Sequence, residues 1–314
     1  MRIARLTAPE TFELVDEPDP TAGADEVVLR VAGCGVCSSE LDMYRGLAGH
    51  ASYPWYPGHE VSGTVEEAGP GSGFAVGDPV AAWVTTRGFA ERIAARGEYC
   101  FPAGDVPLDV ALGEPLACGL NAVELAAPDF GDDVVVIGAG FMGNLVQELV
   151  ALRGPRHLIV ADTRGDALER AAALGATLTV NVQERSLVEA VAELTDDRGV
   201  DVAFEVTGVQ PGLDLLGPVT RMSGTVAIVG YHQGTPRTID LATWNWMAFR
   251  VVNAHFRDVA TILRGMERGM RLLTSGRVSI GDLVTDRFAL DQIDKAFRTA
   301  VEKPPGFVKA TVIP

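Results

Sequence analysis

The sequence is poor in cysteine, in positive charge and in long apolar runs, and each shortage excludes a class of protein. Four cysteines among 314 residues are too few for a disulfide scaffold, so we expect a reducing compartment with thiols that are free or bound to a metal. The 26 basic and 42 acidic residues give a net charge of −16, which disfavours nucleic acid and membrane surfaces as partners. No apolar run reaches the length of about 18 residues that a membrane span needs, and no signal peptide is visible after Met1. We therefore expect a soluble, cytoplasmic protein.

The length of the chain and the pattern of its apolar residues predict two domains. A chain of 314 residues, of which 47% are hydrophobic, is enough for two domains of about 150 residues, each with its own core. Short alternating apolar runs between glycines and prolines, such as Glu26–Val31 and Glu60–Val65, predict β-strands and tight turns in the first part. From residue 130, strands and helices alternate, which predicts a doubly wound parallel α/β sheet of about six strands. The tail has too little apolar material to fold alone, so we expect a discontinuous domain of residues 1–117 and 259–314 and a nucleotide domain of residues 118–258.

The elements predicted after residue 130 follow from this alternation. The predicted strands of the nucleotide domain are Asp132–Ile137, His157–Asp162, Leu178–Val182, Val200–Val206, Thr225–Gly230 and Val251–His255. The helices predicted between them are Phe141–Arg153, Asp166–Leu174, Ser186–Thr195 and Pro211–Thr220. In the tail, the pattern predicts helix Val259–Ser275, strand Leu283–Phe288, helix Asp291–Val301 and strand Phe307–Ile313.

A glycine-rich turn joins the first strand and the first helix of the nucleotide domain. Its glycines allow a tight turn, a close approach of the backbone to a pyrophosphate, and packing of the helix on the strand. The helix N-terminus that follows would attract the phosphates. The residues of this turn that we predict to bind the cofactor are Gly138, Gly140, Phe141, Met142 and Gly143.

An acidic residue follows this turn at the spacing that a ribose-binding carboxylate needs. Asp162 ends the second strand 19 residues after Gly143, close to the expected spacing of about 20. The alternative is an ordinary turn in which Asp162 is a helix N-cap. Asp162 and the neighbouring Thr163 favour NAD, because a carboxylate repels a 2′-phosphate, whereas Arg164 is the one feature that favours NADP. NADP(H) is therefore the less favoured cofactor.

A thiol, an imidazole and carboxylates in the first domain have the chemistry of a zinc site. Cys37 lies on a glycine-rich turn, His59 follows 22 residues later with Glu60 next to it, and Glu114 lies at the junction with the nucleotide domain. These ligand types suit Zn²⁺, and three or four protein ligands with room for water or substrate make a catalytic site. By spacing alone, a histidine satisfied in the core and a small buried cysteine remain open alternatives.

The order of several motifs along the chain resembles the zinc-containing medium-chain dehydrogenase/reductase superfamily, which includes the alcohol and polyol dehydrogenases. These motifs run through the whole chain in the order of the family, so the resemblance is specific. They are Gly33–Leu41, Pro57–Val65, Gly77–Ala81, Gly88–Glu91, Gly113–Leu116 and Val134–Gly143. The resemblance implies a GroES-like catalytic domain, which is rich in β-structure, and a Rossmann domain.

The resemblance also implies roles for single residues. It assigns Cys37, His59 and Glu114 to the zinc, with Glu60 as a direct ligand or an exchanging carboxylate, and Ser39 as the acceptor of the substrate proton. The glutamate at position 114 favours the polyol branch. Asp42 stands where many members have a histidine in the proton path, and Glu40 is expected to orient a ligand. The remaining cofactor-binding candidates are Thr207, Gly230, Tyr231 and His232.

One departure from the family concerns a second metal. Many members carry a structural zinc on a lobe with four closely spaced cysteines, but Gly88 follows only eight positions after Val80 and no cysteine lies between them. We therefore expect one catalytic zinc per chain and no structural zinc, as in a short bacterial sub-branch that lacks this lobe.

The implied reaction is hydride transfer between a secondary alcohol, of the polyol, sugar or cyclitol type, and its ketone, with zinc and NAD(H). One alternative is a zinc-free enone or quinone reductase that uses NADPH. Another is a non-catalytic nucleotide-binding protein on the same fold. The resemblance also implies a homodimer through the strand near Val251–His255, with a tetramer as a further possibility.

Overall fold

The structure is a computed structural model that describes residues 1–47, 52–232 and 234–314. It divides into two compact units, one of Met1–Ala117 with Asp258–Pro314 and one of Cys118–Arg257. The first unit is discontinuous and rich in β-structure, and the second alternates strands with helices. The predicted α/β fold class is therefore confirmed.

The strands and helices are numbered in chain order. The strands are β1 (Arg2–Ala8), β2 (Thr11–Asp16), β3 (Glu26–Gly35), β4 (Glu60–Ala68), β5 (Pro79–Trp83), β6 (Arg92–Arg96), β7 (Cys100–Pro102), β8 (Asp133–Ile137), β9 (His157–Asp162), β10 (Leu178–Asn181), β11 (Val200–Glu205), β12 (Thr220–Ile228), β13 (Arg250–Asn253), β14 (Asp286–Ala289) and β15 (Ala310–Ile313). The helices are α1 (Ser38–Tyr44), α2 (Gly113–Ala126), α3 (Phe141–Ala151), α4 (Gly165–Ala173), α5 (Leu187–Thr195), α6 (Gln210–Val219), α7 (Leu241–Trp246), α8 (Val259–Thr274) and α9 (Ile293–Glu302). None of the helices in the described ranges is long and apolar enough to cross a membrane.

The first unit is built on a seven-stranded sheet in which the tail pairs with the N-terminal segment. The strand order is β14-β15-β3-β4-β5-β7, and β6 also pairs with β3. Strand β15 runs antiparallel to β3, with Thr311 opposite Gly35. On the other side of β3, Gly35 faces Glu60 of β4. The end of β3 therefore lies between the start of β4 and the residues that lead into β15.

The tail differs from the sequence prediction in its strands. Residues Gly281–Leu283 form a short 3-10 turn, and the strand predicted from Leu283 begins only at Asp286. The side chains of Leu283 and Val284 are buried, so this turn has the apolar pattern that is typical of a strand. The last strand begins at Ala310, three residues later than predicted.

The second unit is a six-stranded parallel sheet in the order β10-β9-β8-β11-β12-β13. Every residue of β8 is buried, which explains the continuous apolar run that follows Asp133 in this strand. The carboxyl ends of the central strands meet, because Ile137 of β8 pairs with both Ala161 and Glu205. The turn after β8, the end of β9 and the end of β11 are therefore neighbours at one edge of the sheet, which is where open α/β sheets bind ligands.

Candidate active site

The first part of the site is the start of helix α1. Cys37 is the N-cap residue of this helix, directly after β3 and Val36. Its backbone N–H donates to Glu40 Oε2 at 3.3 Å, which fixes the turn. The Ser39 hydroxyl donates to Cys37 Sγ at 3.3 Å. The helix start therefore holds a thiol and a hydroxyl next to each other at the end of the sheet.

Glu40 orients the imidazole of His59. Its side chain is 2% exposed, and Oε1 accepts hydrogen bonds from the Gly58 N–H at 2.7 Å and from His59 Nδ1 at 3.0 Å. Because an ionised carboxylate only accepts, Nδ1 of His59 carries the proton and Nε2 is the nitrogen left to bind a ligand. Burial opposes a charged imidazole, but Glu40 and Cys37 outweigh it and raise the pKa of His59 well above its usual value. We predicted that Glu40 orients a ligand. A carboxylate that accepts from the second ring nitrogen is the arrangement found at metal-binding histidines.

Three potential ligands converge at this point. One donor atom each from Cys37, His59 and Glu60 lies within 4.8 Å of the other two. Sulfur, imidazole nitrogen and carboxylate oxygen form the donor set of a catalytic zinc site with an open position. The donor chemistry therefore fits the metal that the resemblance implies.

Glu60 also forms a buried ion pair that the sequence does not reveal. Lys309, only 5% exposed, places its Nζ 2.6 Å and 2.8 Å from the two carboxylate oxygens of Glu60. Burial disfavours the ammonium, but the charges of Glu60 and Cys37 raise the pKa of Lys309 above its ordinary value. A Cβ on Gly35 would lie 2.0 Å from Glu60 Oε2 and 3.0 Å from Lys309 Cε, so the pair needs a glycine there. Lys309 thus compensates one of the negative charges of the site.

The fourth predicted metal ligand, Glu114, and the predicted proton-path residue Asp42 belong to the same unit. Glu114 is in the first turn of α2, and its charge contributes to the raised pKa of Lys309, after burial and the charges of Glu60 and Cys37. Asp42 is half-buried on α1, one turn after Ser39. Cys34 is fully buried, which raises the pKa of its thiol well above the usual value. Among the described residues, the metal-type cluster contains neither Glu114 nor Asp42.

The phosphate turn in the second unit has the geometry that its glycines suggest. Gly138 has φ +106°, a conformation that favours glycine. A Cβ on Gly143 would lie 1.8 Å from the carbonyl oxygen of Gly138, so this glycine lets α3 start close to the strand. A Cβ on Gly140 would meet nothing within 4 Å. The turn therefore leaves open space in front of the N-terminus of α3, as a bound pyrophosphate requires. Phe141 is buried, and Met142 is half-buried.

Asp162 lies beside this turn. Its Oδ2 accepts from the Ala139 N–H at 2.7 Å, and its Oδ1 accepts from the N–H groups of Thr163 at 2.8 Å and Arg164 at 2.9 Å. The N-cap residue of α4 is Arg164, so the alternative role of Asp162 as N-cap is wrong. The guanidinium of Arg164 lies 3.8 Å from Asp166. The carboxylate is fixed at the edge of β9 and retains acceptor capacity for a hydroxyl group.

The remaining cofactor candidates surround a carboxylate that sequence reasoning missed. Glu205, the last residue of β11, is fully buried and accepts from the Thr207 N–H at 2.6 Å and from His232 Nε2 at 2.7 Å. Its backbone carbonyl accepts from the Gly230 N–H at 2.9 Å. Tyr231 is half-buried and packs against His255 with ring centroids 5.6 Å apart. An acidic residue that ends an apolar strand, as Asp162 also does, was the available signal for Glu205.

Two family models match the chain. The model described as "Alcohol dehydrogenase GroES-like domain" matches residues 23–128, and the model described as "Zinc-binding dehydrogenase" matches residues 142–267.

Individual proteins match over nearly the whole length. A sorbitol dehydrogenase from Halalkalibacterium halodurans is 30% identical over 91% of this chain and 91% of its own. The solved structure of 2R,3R-butanediol dehydrogenase from Bacillus subtilis is 26% identical, with a TM-score of 0.86 and coverage of 100% and 99% of the two chains. A Sinorhizobium meliloti protein provisionally assigned as a zinc-binding dehydrogenase, solved with NADP, is 25% identical, with a TM-score of 0.88 and coverage of 100% and 99%.

The first unit is GroES-like and carries a cluster of a thiol, an imidazole and a carboxylate, and the second is a Rossmann unit with a phosphate turn. This combination is typical of zinc-binding dehydrogenases. The chain belongs to the zinc-containing medium-chain alcohol and polyol dehydrogenases. It is therefore an enzyme of the alcohol dehydrogenase type, an oxidoreductase that acts on alcohols.

Proposed function

We propose that this enzyme interconverts a secondary alcohol of the polyol, sugar or cyclitol type and its ketone, with one catalytic zinc per chain and NAD(H). The observation that carries the proposal is the convergence of Cys37, His59 and Glu60 within 4.8 Å. Relatives named for sorbitol and for a butanediol support a substrate that carries a secondary hydroxyl.

Three residues would hold the metal, and Glu114 is the fourth candidate. When bound, zinc supplies a Lewis acid that lowers the pKa of an alcohol hydroxyl. Glu40 keeps Nε2 of His59 available by accepting the proton on Nδ1. Lys309 pairs with Glu60 and compensates the charge of its buried carboxylate.

Ser39 is the proposed acceptor of the alcohol proton. Its hydroxyl already lies 3.3 Å from the sulfur of Cys37, so it is adjacent to the group that would bind the metal. A hydroxyl can accept one proton and donate its own, which makes it a relay rather than a base. Asp42, one turn later on the same helix, is the proposed next group in this path.

The nucleotide is proposed to lie on the phosphate turn, with its ribose hydroxyl groups on Asp162. The carboxylate favours NAD because a 2′-phosphate would be repelled, and hydrogen bonds to a charged acceptor contribute about 1.5–3 kcal/mol each. At least a tenfold preference for NAD over NADP follows. The S. meliloti relative was solved with NADP, so the preference must be measured on this chain.

The test combines metal analysis with turnover. The purified protein should contain one zinc per chain and should oxidise polyols or reduce their ketones with NAD(H). The variants Cys37→Ser and His59→Ala should lose metal and activity together, whereas Cys100→Ser, at a buried thiol away from the cluster, should keep the metal.

Three results would contradict the proposal. Full activity after chelation of all metal, with reduction of enones by NADPH, would favour the zinc-free reductase. Nucleotide binding without turnover on any secondary alcohol or ketone would favour a non-catalytic protein. Two zinc ions per chain would show a second site that the sequence does not predict.

A further inference from the structure

The carboxylate of Glu205 connects segments of the second unit that are far apart in the sequence. The residue ends β11 in the centre of the sheet, between β8 and β12, and its side chain is fully buried. Oε1 accepts from the N–H groups of Thr207 at 2.6 Å and Gly208 at 2.8 Å, and also from the Thr207 hydroxyl. Oε2 accepts from His232 Nε2 at 2.7 Å. Burying a carboxylate is costly unless its oxygens are satisfied, and here both are.

Glycines make room for this carboxylate on two sides. A Cβ on Gly230 would lie 2.5 Å from Glu205 Oε2, and one on Gly212 would lie 3.0 Å from Oε1. The same two positions crowd the turn itself, because they approach Gly208 N at 2.3 Å and Thr207 Oγ1 at 2.3 Å. Residues 205–212 and 230–232 therefore fit together around one side chain.

Thr207 connects the carboxylate to the phosphate turn. Its hydroxyl donates to Glu205 and accepts from the Val209 N–H at 3.2 Å, which fixes the rotation of the side chain. The methyl group then faces Gly138, where an added Cβ would lie 2.8 Å from Thr207 Cγ2. Glu205 thus determines the position of a group that packs on the first glycine of the turn.

His232 is oriented from two sides. Arg237 Nε donates to its Nδ1 at 3.2 Å, so Nδ1 is unprotonated and Nε2 carries the hydrogen that Glu205 accepts. A glutamine at position 205 could serve only one side. With its oxygen towards Thr207 and Gly208, its NH₂ group would face the N–H of His232. The other tautomer of His232 would instead place an N–H against Arg237.

We propose that Glu205 is a positioning residue of the nucleotide site, which sets the affinity for the nicotinamide nucleotide through Thr207, His232 and the phosphate turn. This inference rests on the proposed nucleotide site. Glu205 does not itself need to touch the nucleotide, because the groups that it holds are the cofactor-binding candidates. Its role is therefore in binding the nucleotide and not in the metal centre, whose residues belong to the other unit.

The experiment measures NADH binding to the full chain by the fluorescence of the nucleotide. Glu205→Gln preserves the side-chain volume and should weaken NADH binding about tenfold or more, because hydrogen bonds to a charged acceptor are lost. The KM for the nucleotide should rise by the same factor, while kcat at saturating nucleotide, the KM for the alcohol and the zinc content should stay near those of the wild type. Glu169→Gln, at an exposed glutamate of the same unit, is the control and should behave like the wild type.

A second pair of variants decides the question if Glu205→Gln does not fold. Thr207 is exposed, so Thr207→Val should fold; it should weaken NADH binding, and Thr207→Ser, which keeps the hydroxyl, should restore it. Wild-type affinity in Thr207→Val, or in Glu205→Gln when that variant folds, would overturn the positioning role alone. A wild-type chain that binds neither NADH nor NADPH would overturn the proposed function and this inference together.

Discussion

Two residues that are not candidate ligands set the protonation and the charge of the cluster formed by Cys37, His59 and Glu60. Glu40 fixes the tautomer of His59, and Lys309 compensates the charge of Glu60. Neither residue is a candidate ligand, and both are buried. The cluster should therefore respond to changes in these two residues as strongly as to changes in a ligand.

The Lys309–Glu60 pair makes a prediction about stability. Lys309→Met keeps the length of the side chain but leaves Glu60 buried without its cation. Without zinc, the free energy of unfolding should fall by about 3–5 kcal/mol, the cost of leaving one partner of a buried ion pair. With zinc present the loss should be smaller, because the metal replaces the missing positive charge.

Urea unfolding with and without zinc measures this difference. Lys295→Met, at an exposed lysine, is the matched control and should change the stability by less than about 0.5 kcal/mol. An equal loss for Lys309→Met in both conditions would mean that Glu60 does not approach the metal.

Ser39 and its neighbour Ser38 offer a matched pair for the proton path. Ser39→Ala should lower kcat by about 100-fold, because the proposed relay is removed. Ser38→Ala should have little effect, since Ser38 is exposed while the hydroxyl of Ser39 contacts Cys37 Sγ. Asp42→Asn should have an intermediate effect. Steady-state rates across pH at equal zinc content would check this, and near-full activity of Ser39→Ala would show that the proton leaves through water.

At the scale of elements, the two ends of the parallel strands in the second unit carry different kinds of side chain. The carboxyl ends of β8, β9 and β11 carry the phosphate turn, Asp162 and Glu205. The amino ends carry an ion network instead. Asp133 at the start of β8 is fully buried and accepts from Arg156 Nε at 2.8 Å and Arg198 Nη2 at 2.6 Å.

The network extends to the next strand and to a histidine. Asp201 of β11 accepts from Arg198 Nη1 at 2.7 Å and Arg221 Nε at 2.6 Å, and its Oδ2 accepts from the N–H of Asp133. His157 of β9 lies 2.9 Å from Asp133. Four strands, β8, β9, β11 and β12, are therefore connected at the edge opposite the candidate nucleotide site.

This network predicts a stability that falls in acid. Burial opposes ionisation, but hydrogen bonds from Arg156, Arg198 and His157 lower the pKa of Asp133, and those from Arg198 and Arg221 lower the pKa of Asp201. A carboxyl group with a lowered folded pKa contributes stability above its unfolded pKa of about 3.9, and this contribution is lost as the pH falls towards the folded pKa. Asp133→Asn should therefore cost about 2 kcal/mol at pH 7 and progressively less below about pH 4.

Urea unfolding at pH 7, 5 and 3.5 checks this dependence. Asp105→Asn, at an exposed aspartate, is the control and should be close to the wild type at each pH. A cost for Asp133→Asn that is the same at pH 7 and pH 3.5 would mean that the charge of Asp133 contributes nothing.

At the scale of the whole molecule, the edge strand β13 of the second unit's sheet predicts how two copies of the chain would associate. Strand β13 pairs with β12 on one side, and in the described part of the chain no strand pairs with its other side. Val251 on this strand is 52% exposed. An open edge with an exposed apolar side chain favours pairing with another strand, so we expect a homodimer through β13.

Sedimentation should give a mass of twice the 33.2 kDa of the chain. Val251→Lys, which places a charge on the edge, should shift the protein towards the monomer, while Met222→Lys, at another exposed apolar residue, should leave the dimer intact. A wild-type monomer, or a Val251→Lys dimer as stable as the wild type, would exclude this edge as the interface.

Much of the second unit could be predicted from the sequence. Strand His157–Asp162 has the predicted bounds, and α3, α4, α5 and α6 begin within one residue of prediction. Their apolar periodicity, glycines and caps are local signals, which a short window of sequence contains. The tail was predicted less well, because the buried residues Leu283 and Val284 belong to a turn.

The sequence by itself determined the fold class, the phosphate turn and the residue types that could bind a metal, because glycine spacing, apolar periodicity and ligand chemistry are properties of short segments. Only the tertiary structure decided which charges meet. Lys309 reaches Glu60 across 249 residues because β15 and β4 pair with the two sides of β3. Glu205 meets His232 because consecutive parallel strands end at the same edge. No local pattern specifies such contacts, since strand pairing fixes them.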